Sequence, residues 1–253
     1  MRKITYISLL LLLSVSMFAD NNTVNQTFSQ ANALYSQNKF KEAAKLYEQT
    51  ISEGFISPEL FYNTANTYYR LNKIGKAIYY YEKAKMLSPN DVDVNYNLEL
   101  TKLRVKNLPP EVPKIFPVRI FQQITFMKSS GFWGLWSLIL FIVFLGLMYL
   151  YFIAKNSKGK KLRLLFASFI FFFSLISFIF MQYQMYQINA HNTGVVISKE
   201  IIAKSSPDDG AANLFKVYEG YKVKIENKNG NWCEITLTDG RKAWIKQKYL
   251  MIL

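Results

Sequence analysis

Residues 132–154, FWGLWSLILFIVFLGLMYLYFIA, and 164–187, LLFASFIFFFSLISFIFMQYQMYQ, decide how the chain is organised. Each run matches the roughly 20 apolar residues that carry one helix across about 30 Å of hydrocarbon. Phe171 to Phe173 lie in a segment that is apolar on every side, which a helix in a soluble core rarely is. Between the runs stands KNSKGKKLR, residues 155–163, and no Asp or Glu occurs from Val112 to Lys199. Short loops rich in Lys and Arg stay inside, so Lys155, Lys158, Lys160, Lys161 and Arg163 mark the cytoplasmic side of a helical hairpin. Trp133, Trp136, Tyr149, Tyr183 and Tyr186 stand near the span ends, where rings settle at headgroup level. Neither span carries an ionisable group in its middle, so the hairpin reads as an anchor without transport chemistry. The expected spans are 131–154 and 164–187, with a cytoplasmic turn at 155–163.

That placement disposes of a nucleic-acid reading of the formal net charge of +14. Five positives sit in the turn, where the anionic inner leaflet is their natural partner, and the flanking segments mix acids with bases. One cysteine, Cys233, and one histidine, His191, leave no intrachain disulfide and no Cys/His metal set. His191 has no nucleophile and orienter beside it in sequence, and no Gly-rich phosphate loop occurs. The expectation is a protein without cofactor and without enzymatic activity.

Working outward, residues 1–19 have Arg2 and Lys3, an apolar stretch from Ile4 to Phe18, and Ala19 before Asp20. This is the layout of a secretory signal peptide. Met17 stands where a small residue is preferred, so an uncleaved anchor is the alternative. Either reading exports residue 20 onward and puts both soluble parts on the periplasmic side of a bacterial inner membrane.

From Thr27 to Pro89 the chain repeats at a spacing of 34: Ala31, Leu34, Ala43 and Tyr47 recur as Ala65, Tyr68, Ala77 and Tyr81, and Asn38-Lys39 as Asn72-Lys73. A period of that length with small residues at helix crossings is the tetratricopeptide signature. Residues 20–107 therefore form a repeat domain, with units at about 27–57 and 60–89 and a capping helix at 91–106. Val94, Tyr96, Leu98 and Leu103 of that last helix are expected to cover the open end of the second unit. Prolines 109, 110 and 113 then end helical structure, and 108–130 reads as a linker followed by an interfacial segment from Ile115 to Phe126.

Beyond the second span, 190–253 turns to period two. Val195 to Ile197, Leu214 to Val217, Tyr221 to Ile225, Trp232 to Leu237, Lys242 to Ile245 and Tyr249 to Leu253 read as short strands, with Asn229-Gly230 and Asp239-Gly240 as turns. The spacing of Glu219-Gly220, Trp232, Gly240 and Trp244-Ile245 resembles the bacterial SH3 domain, except that Ala243 stands where members usually have Gly. The expected fold is thus a multidomain membrane protein: an all-α tetratricopeptide solenoid, a two-helix transmembrane hairpin and a small all-β SH3-like barrel.

This order, with YNTANTYYRLNKIGKAIYYYEKAKMLSP at 62–89 and SSPDDGAANLFKVYEGYKV at 205–223, resembles the BatE-type aerotolerance proteins. The resemblance implies an assembly component of a periplasmic stress-tolerance complex, with membrane proteins bearing von Willebrand A domains and a MoxR-type AAA+ ATPase as partners. The binding surface expected from repeat position is the concave face, with Asn32, Tyr35, Tyr62, Asn63, Asn66, Arg70, Asn97 and Arg104. Asn offers donor and acceptor to a peptide, and Arg takes a carboxylate bidentately. A solvated Asn-rich face is the plain alternative. In the barrel, Trp232 and Trp244 either line a groove or pack, and a barrel that binds peptidoglycan is the second functional reading.

Overall fold

A computed structural model describes residues 25–110, 112, 115–189 and 192–253. The signal segment and His191 lie outside the described residues. The chain forms two compact units, one holding the repeats together with the barrel, the other holding residues 88–90 and the hairpin region.

In the first unit five helices follow one another: α1 (25–36), α2 (Phe40–Ser52), α3 (Pro58–Arg70), α4 (Ile74–Leu87) and α5 (Val92–Lys102). Asn38 and Asn72, one period apart, both take the left-handed conformation, with φ of 59° and 58°. Asn tolerates that region better than most side chains, so the same residue breaks the chain between the helices of each pair. Ser57 caps α3 by accepting the Leu60 amide at 3.0 Å, with Pro58 in the first turn. Ala31, Ala43, Ala65, Ala77 and Ala84 have no exposed surface, and the backbones close over them around Tyr47, Leu60, Ile78 and Tyr81.

The last helix departs from expectation. Val94 and Leu98 are buried in the core of the second repeat, but Tyr96 and Leu103 point away from it and stay exposed. At 3.6 residues per turn 94 and 98 share a face that 96 and 103 cannot join.

The barrel is one seven-stranded antiparallel sheet in the order β3-β2-β6-β5-β4-β1-β7. Its strands are β1 (Thr193–Val196), β2 (Glu200–Lys204), β3 (Asn213–Tyr218), β4 (Lys222–Asn229), β5 (Trp232–Thr236), β6 (Lys242–Lys246) and β7 (Leu250–Ile252). Val195, Ile201, Ala203, Val217, Val223, Cys233, Ile235, Ala243 and Ile245 fill its interior, with buried positions alternating along β2, β4, β5 and β6. Strand β2 was not among the expected strands: its Ala203 is a weak strand former, and its pairing with β3 lies across the loop from Ser205 to Ala212. The expected turns hold, with Gly230 at φ 54° and Gly240 at φ 91°.

In the second unit α6 (Phe116–Thr125) leads into α7 (Ser130–Ile153) and α8 (Ser157–Asn189). Both long helices are long and apolar enough to cross a membrane. They are joined by only Ala154 to Asn156, so most of the basic segment expected as a turn is the first two turns of α8. Asn156 makes this so by capping α8 through the Lys158 amide at 3.0 Å, and Arg163 donates back to the Leu150 carbonyl at 2.8 Å. Ser137 and Ser174 each donate to the other's backbone carbonyl, at 3.0 and 2.9 Å, satisfying two hydroxyls between the otherwise apolar helices. At the other end the Gln184 amide bonds the carbonyls of Thr125 and Lys128, and the Trp133 indole donates to Thr125 at 2.8 Å. Helix α6 is thereby held against α8, with Phe121 edge-on to Phe180 and Tyr183.

Candidate functional site

Repeats and barrel are not separate bodies. One hydrophobic core runs from Ala65, Ala77 and Ile78 through Val105 to Val195, Val196 and Tyr221. The joint is built on two glycines. A Cβ on Gly75, in the first turn of α4, would lie 2.5 Å from the Val196 carbonyl oxygen, and one on Gly220 would lie 2.7 Å from Val105 and 2.9 Å from Ile78. Gly220 also holds φ of 90°, which other residues rarely adopt. The Glu219 carboxylate accepts the Gly75 amide at 2.8 Å, so a barrel residue caps a repeat helix.

Two turns further along this face of α4, Glu82 is buried and bonds Lys222 of β4 at 2.7 Å. Burial alone would raise the Glu82 carboxyl, but the charge and hydrogen bond of Lys222, helped by Lys102 and Lys85, hold it below the usual carboxylate range. Tyr221 donates to the Asn107 carbonyl, Thr238 donates to the Pro109 carbonyl at 3.2 Å, and Lys106 stands over the Tyr218 ring. Glu219-Gly220 stood out in sequence only as a mark of the SH3 resemblance and Pro109 only as a helix end; neither Glu82 nor Lys222 was singled out, and Gly75, which sits in a helix where the preceding unit has Lys41, was a further signal.

The expected groove residues are largely tied to one another and to the repeat framework. Asn32 accepts from the Tyr47 hydroxyl at 2.6 Å and from the Asn63 amide at 3.1 Å. Asn66 accepts from Tyr81 in the same way one period later. Asn97 donates to the Tyr62 hydroxyl at 2.8 Å, and Tyr35 packs edge-on against Phe40. Arg104 reaches Asn72 at 2.8 Å over the Tyr69 ring, whereas Arg70 is 3.5 Å from Asn38 and lies over Phe40. Asn32 and Asn63 are thus brought together, as are Tyr62 and Asn97, while Asn66, Arg70 and Arg104 each bond outside the set. The face is pre-ordered by these bonds, and the exposed Arg70 is the cation least committed within it.

On the barrel, Trp232 and Trp244 are half-buried and alternate with the inward Cys233, Ile235, Ala243 and Ile245. Both rings therefore lie on the outer face rather than in the core. Trp232 is opposite Lys246, which stands over its ring at 5.2 Å and pairs with Asp209 at 2.6 Å. Trp244 is opposite Glu234 and Lys204. An open cleft of about 420 Å³ beside Trp232 is bordered by Ser198, Ile202, Lys204 and Tyr249.

Residues 58–91 match the tetratricopeptide repeat, and residues 202–251 match the bacterial SH3 domain. No curated protein matches the chain. A crystal structure of an NlpC/P60 family protein from Bacillus cereus ATCC 10987 is similar over 28% of this chain, at 17% identity and a TM-score of 0.20. This chain spans 23% of that protein's length.

Proposed function

We propose that this protein is a non-enzymatic, membrane-anchored adaptor that binds protein partners through its repeats. The observation that carries the reading is the core shared by repeats and barrel, which makes them one rigid head and leaves the repeats no freedom to serve as a linker. A repeat array of this length is used for binding, and the repeat match supports a protein partner. Because the two halves of the head flank the hairpin in sequence, both lie on one side of the membrane. The positive segment at 155–163 supports a periplasmic location for that side. Within this reading the BatE-type resemblance supplies the partners: von Willebrand A domain membrane proteins and a MoxR-type AAA+ ATPase, in a complex for aerotolerance.

Affinity capture of the full chain in mild detergent tests the reading. The informative variant is Arg70→Glu, because Asn66→Ala would strand the buried Tyr81 hydroxyl and confuse folding with binding. Arg70→Glu should lose the captured membrane proteins at unchanged thermal stability; equal yield from Arg70→Glu and parent would refute the groove. Topology is checked with a membrane-impermeant thiol reagent on Ser36→Cys and Ser157→Cys. Cys233 is buried, so the native thiol stays silent. Labelling of Ser157→Cys from the periplasmic side would overturn the orientation.

A second reading rests on the half-exposed Trp232 beside its cleft: the barrel binds peptidoglycan, as the bacterial SH3 match suggests. Retention of the detergent-solubilised chain on isolated peptidoglycan, lost in Trp232→Ala, would favour it over the adaptor.

A further inference from the structure

The open end of the solenoid carries a second surface. Along α5, Val92 is 78% exposed, Tyr96 67%, Leu100 36% and Leu103 82%, one side chain per turn on a single stripe. Repeat arithmetic identifies the stripe: Tyr96 and Leu103 stand one period after Tyr62 and Tyr69 of α3, which are covered by Asn97 of α5 and by Arg104 just beyond it. These are therefore the positions that a following helix would cover.

We propose that the following helix is α5 of a second copy of this chain, packed antiparallel about a twofold axis near Leu98. Two features of the molecule favour that occupant. First, head-to-tail stacking is disfavoured, because the outer face of α1 offers the exposed Gln26, Ser29, Gln30 and Ala33 at the positions that would have to meet the stripe. Second, the stripe is complementary to itself. Antiparallel pairing sets Val92 against the partner subunit's Leu103 and Tyr96 against the partner subunit's Leu100. It also brings Asp93, beside one end of the stripe, to the partner subunit's Arg104 beside the other. A lipid surface gains nothing comparable, since the charges beside the stripe, Asp93, Glu99, Lys102 and Arg104, balance.

Four side chains bury less than the about 800 Å² per partner of a standard stable interface. The proposed anchor supplies the difference, since two copies confined to one membrane meet at a much higher effective concentration than free heads do. On that single point the inference rests on the anchor of the proposed function.

The test uses the full chain in lipid vesicles, with two differently tagged copies. Tyr96→Cys on one copy and Leu100→Cys on the other should form a disulfide under mild oxidation well ahead of Val92→Cys with itself. Asp93→Arg, or Arg104→Asp alone, should cut cross-linking about tenfold, and the two changes together in both copies should restore it. The restoration is also the folding control, since a misfolded helix would not recover. Equal cross-linking of the Val92→Cys pair, failure of the double change to restore, or an absence of cross-linking in the parent pair overturns the proposal. So does quenching of a fluorophore at residue 96 by brominated lipid whatever the copy density, because the stripe would then face lipid. Labelling that shows the anchor absent would undo the adaptor reading without cross-linking data; lost cross-linking in an anchored chain undoes only the dimer.

Discussion

Glu48 and Glu82 occupy the same position of two units 34 residues apart, yet they meet different neighbours. Glu48 of α2 bonds Tyr68 and, at 2.9 Å, Lys76 of the following helix pair, with its side chain still 41% exposed. Glu82 of α4 has no such pair after it and meets Lys222 of a β-strand instead, with its side chain 8% exposed. Burial opposes the ionised form at both sites, and at both the neighbouring cation and hydrogen bonds carry the carboxyl below its usual range. The barrel thus stands against α4 where the second helix of a third pair would, beside α5, whose outer stripe it leaves open. The two contacts differ in what they can lose: the half-exposed Glu48 has several direct donors, whereas the buried Glu82 carboxylate has one cation hydrogen-bonded to it.

Breaking that cation should give the largest effect. Lys222→Met leaves a buried carboxylate without its hydrogen-bonded cation, at about 3 kcal/mol, and Lys76→Met should cost well under half of that because Glu48 keeps Tyr68 and is 41% exposed. Urea unfolding of the full chain in detergent compares them, and equal losses would erase the distinction between the two contacts. Next, Gly75→Ala forces a Cβ against backbone that cannot swing aside, and should overpack the joint by about 1 to 3 kcal/mol. Its counterpart inside the repeats, Ala77→Leu, should cost a similar amount through the helix crossing of the second unit. Differential scanning calorimetry would show whether both lower a single transition, as a shared core requires.

The smallest effect is in pH. Since the folded Glu82 carboxyl sits below its unfolded value of 4.5, its contribution is present above that value and is lost as pH falls through the folded pKa. In Lys222→Met the sign reverses. Burial, the largest influence on Glu82, then raises its carboxyl, so the variant should gain stability as pH falls from neutrality towards the ordinary carboxylate range. Parallel pH profiles for the two proteins would mean that Lys222 does not hold Glu82.

The helical period, the two apolar runs and most of the strands were legible because each is a local pattern: 34 residues between Ala43 and Ala77, an unbroken apolar run, alternation through Trp232 to Thr236. Strand β2 was not, since its identity depends on a partner across a loop. The joint was invisible for the same reason on a larger scale. Glu82 and Lys222 read as ordinary surface charges until the fold brings them together, and nothing local to Gly220 says that Val105 will press on it. The groove residues were found by repeat position, but position does not disclose that Asn32 and Asn66 are already spent on Tyr47 and Tyr81.

The head is sewn from two stretches of chain that leave the ribosome at different times. At ordinary elongation rates the roughly 80 residues between 110 and 192 take on the order of ten seconds to make, and for that interval the repeats wait with Ile78, Glu82 and Val105 bare. On the anchoring proposed above, the barrel can close over them only after both ends of the hairpin stand on the same side. Completion of the head would then report that both spans had been inserted, and a chain in which only one span crosses would carry its own unfolded mark for quality control.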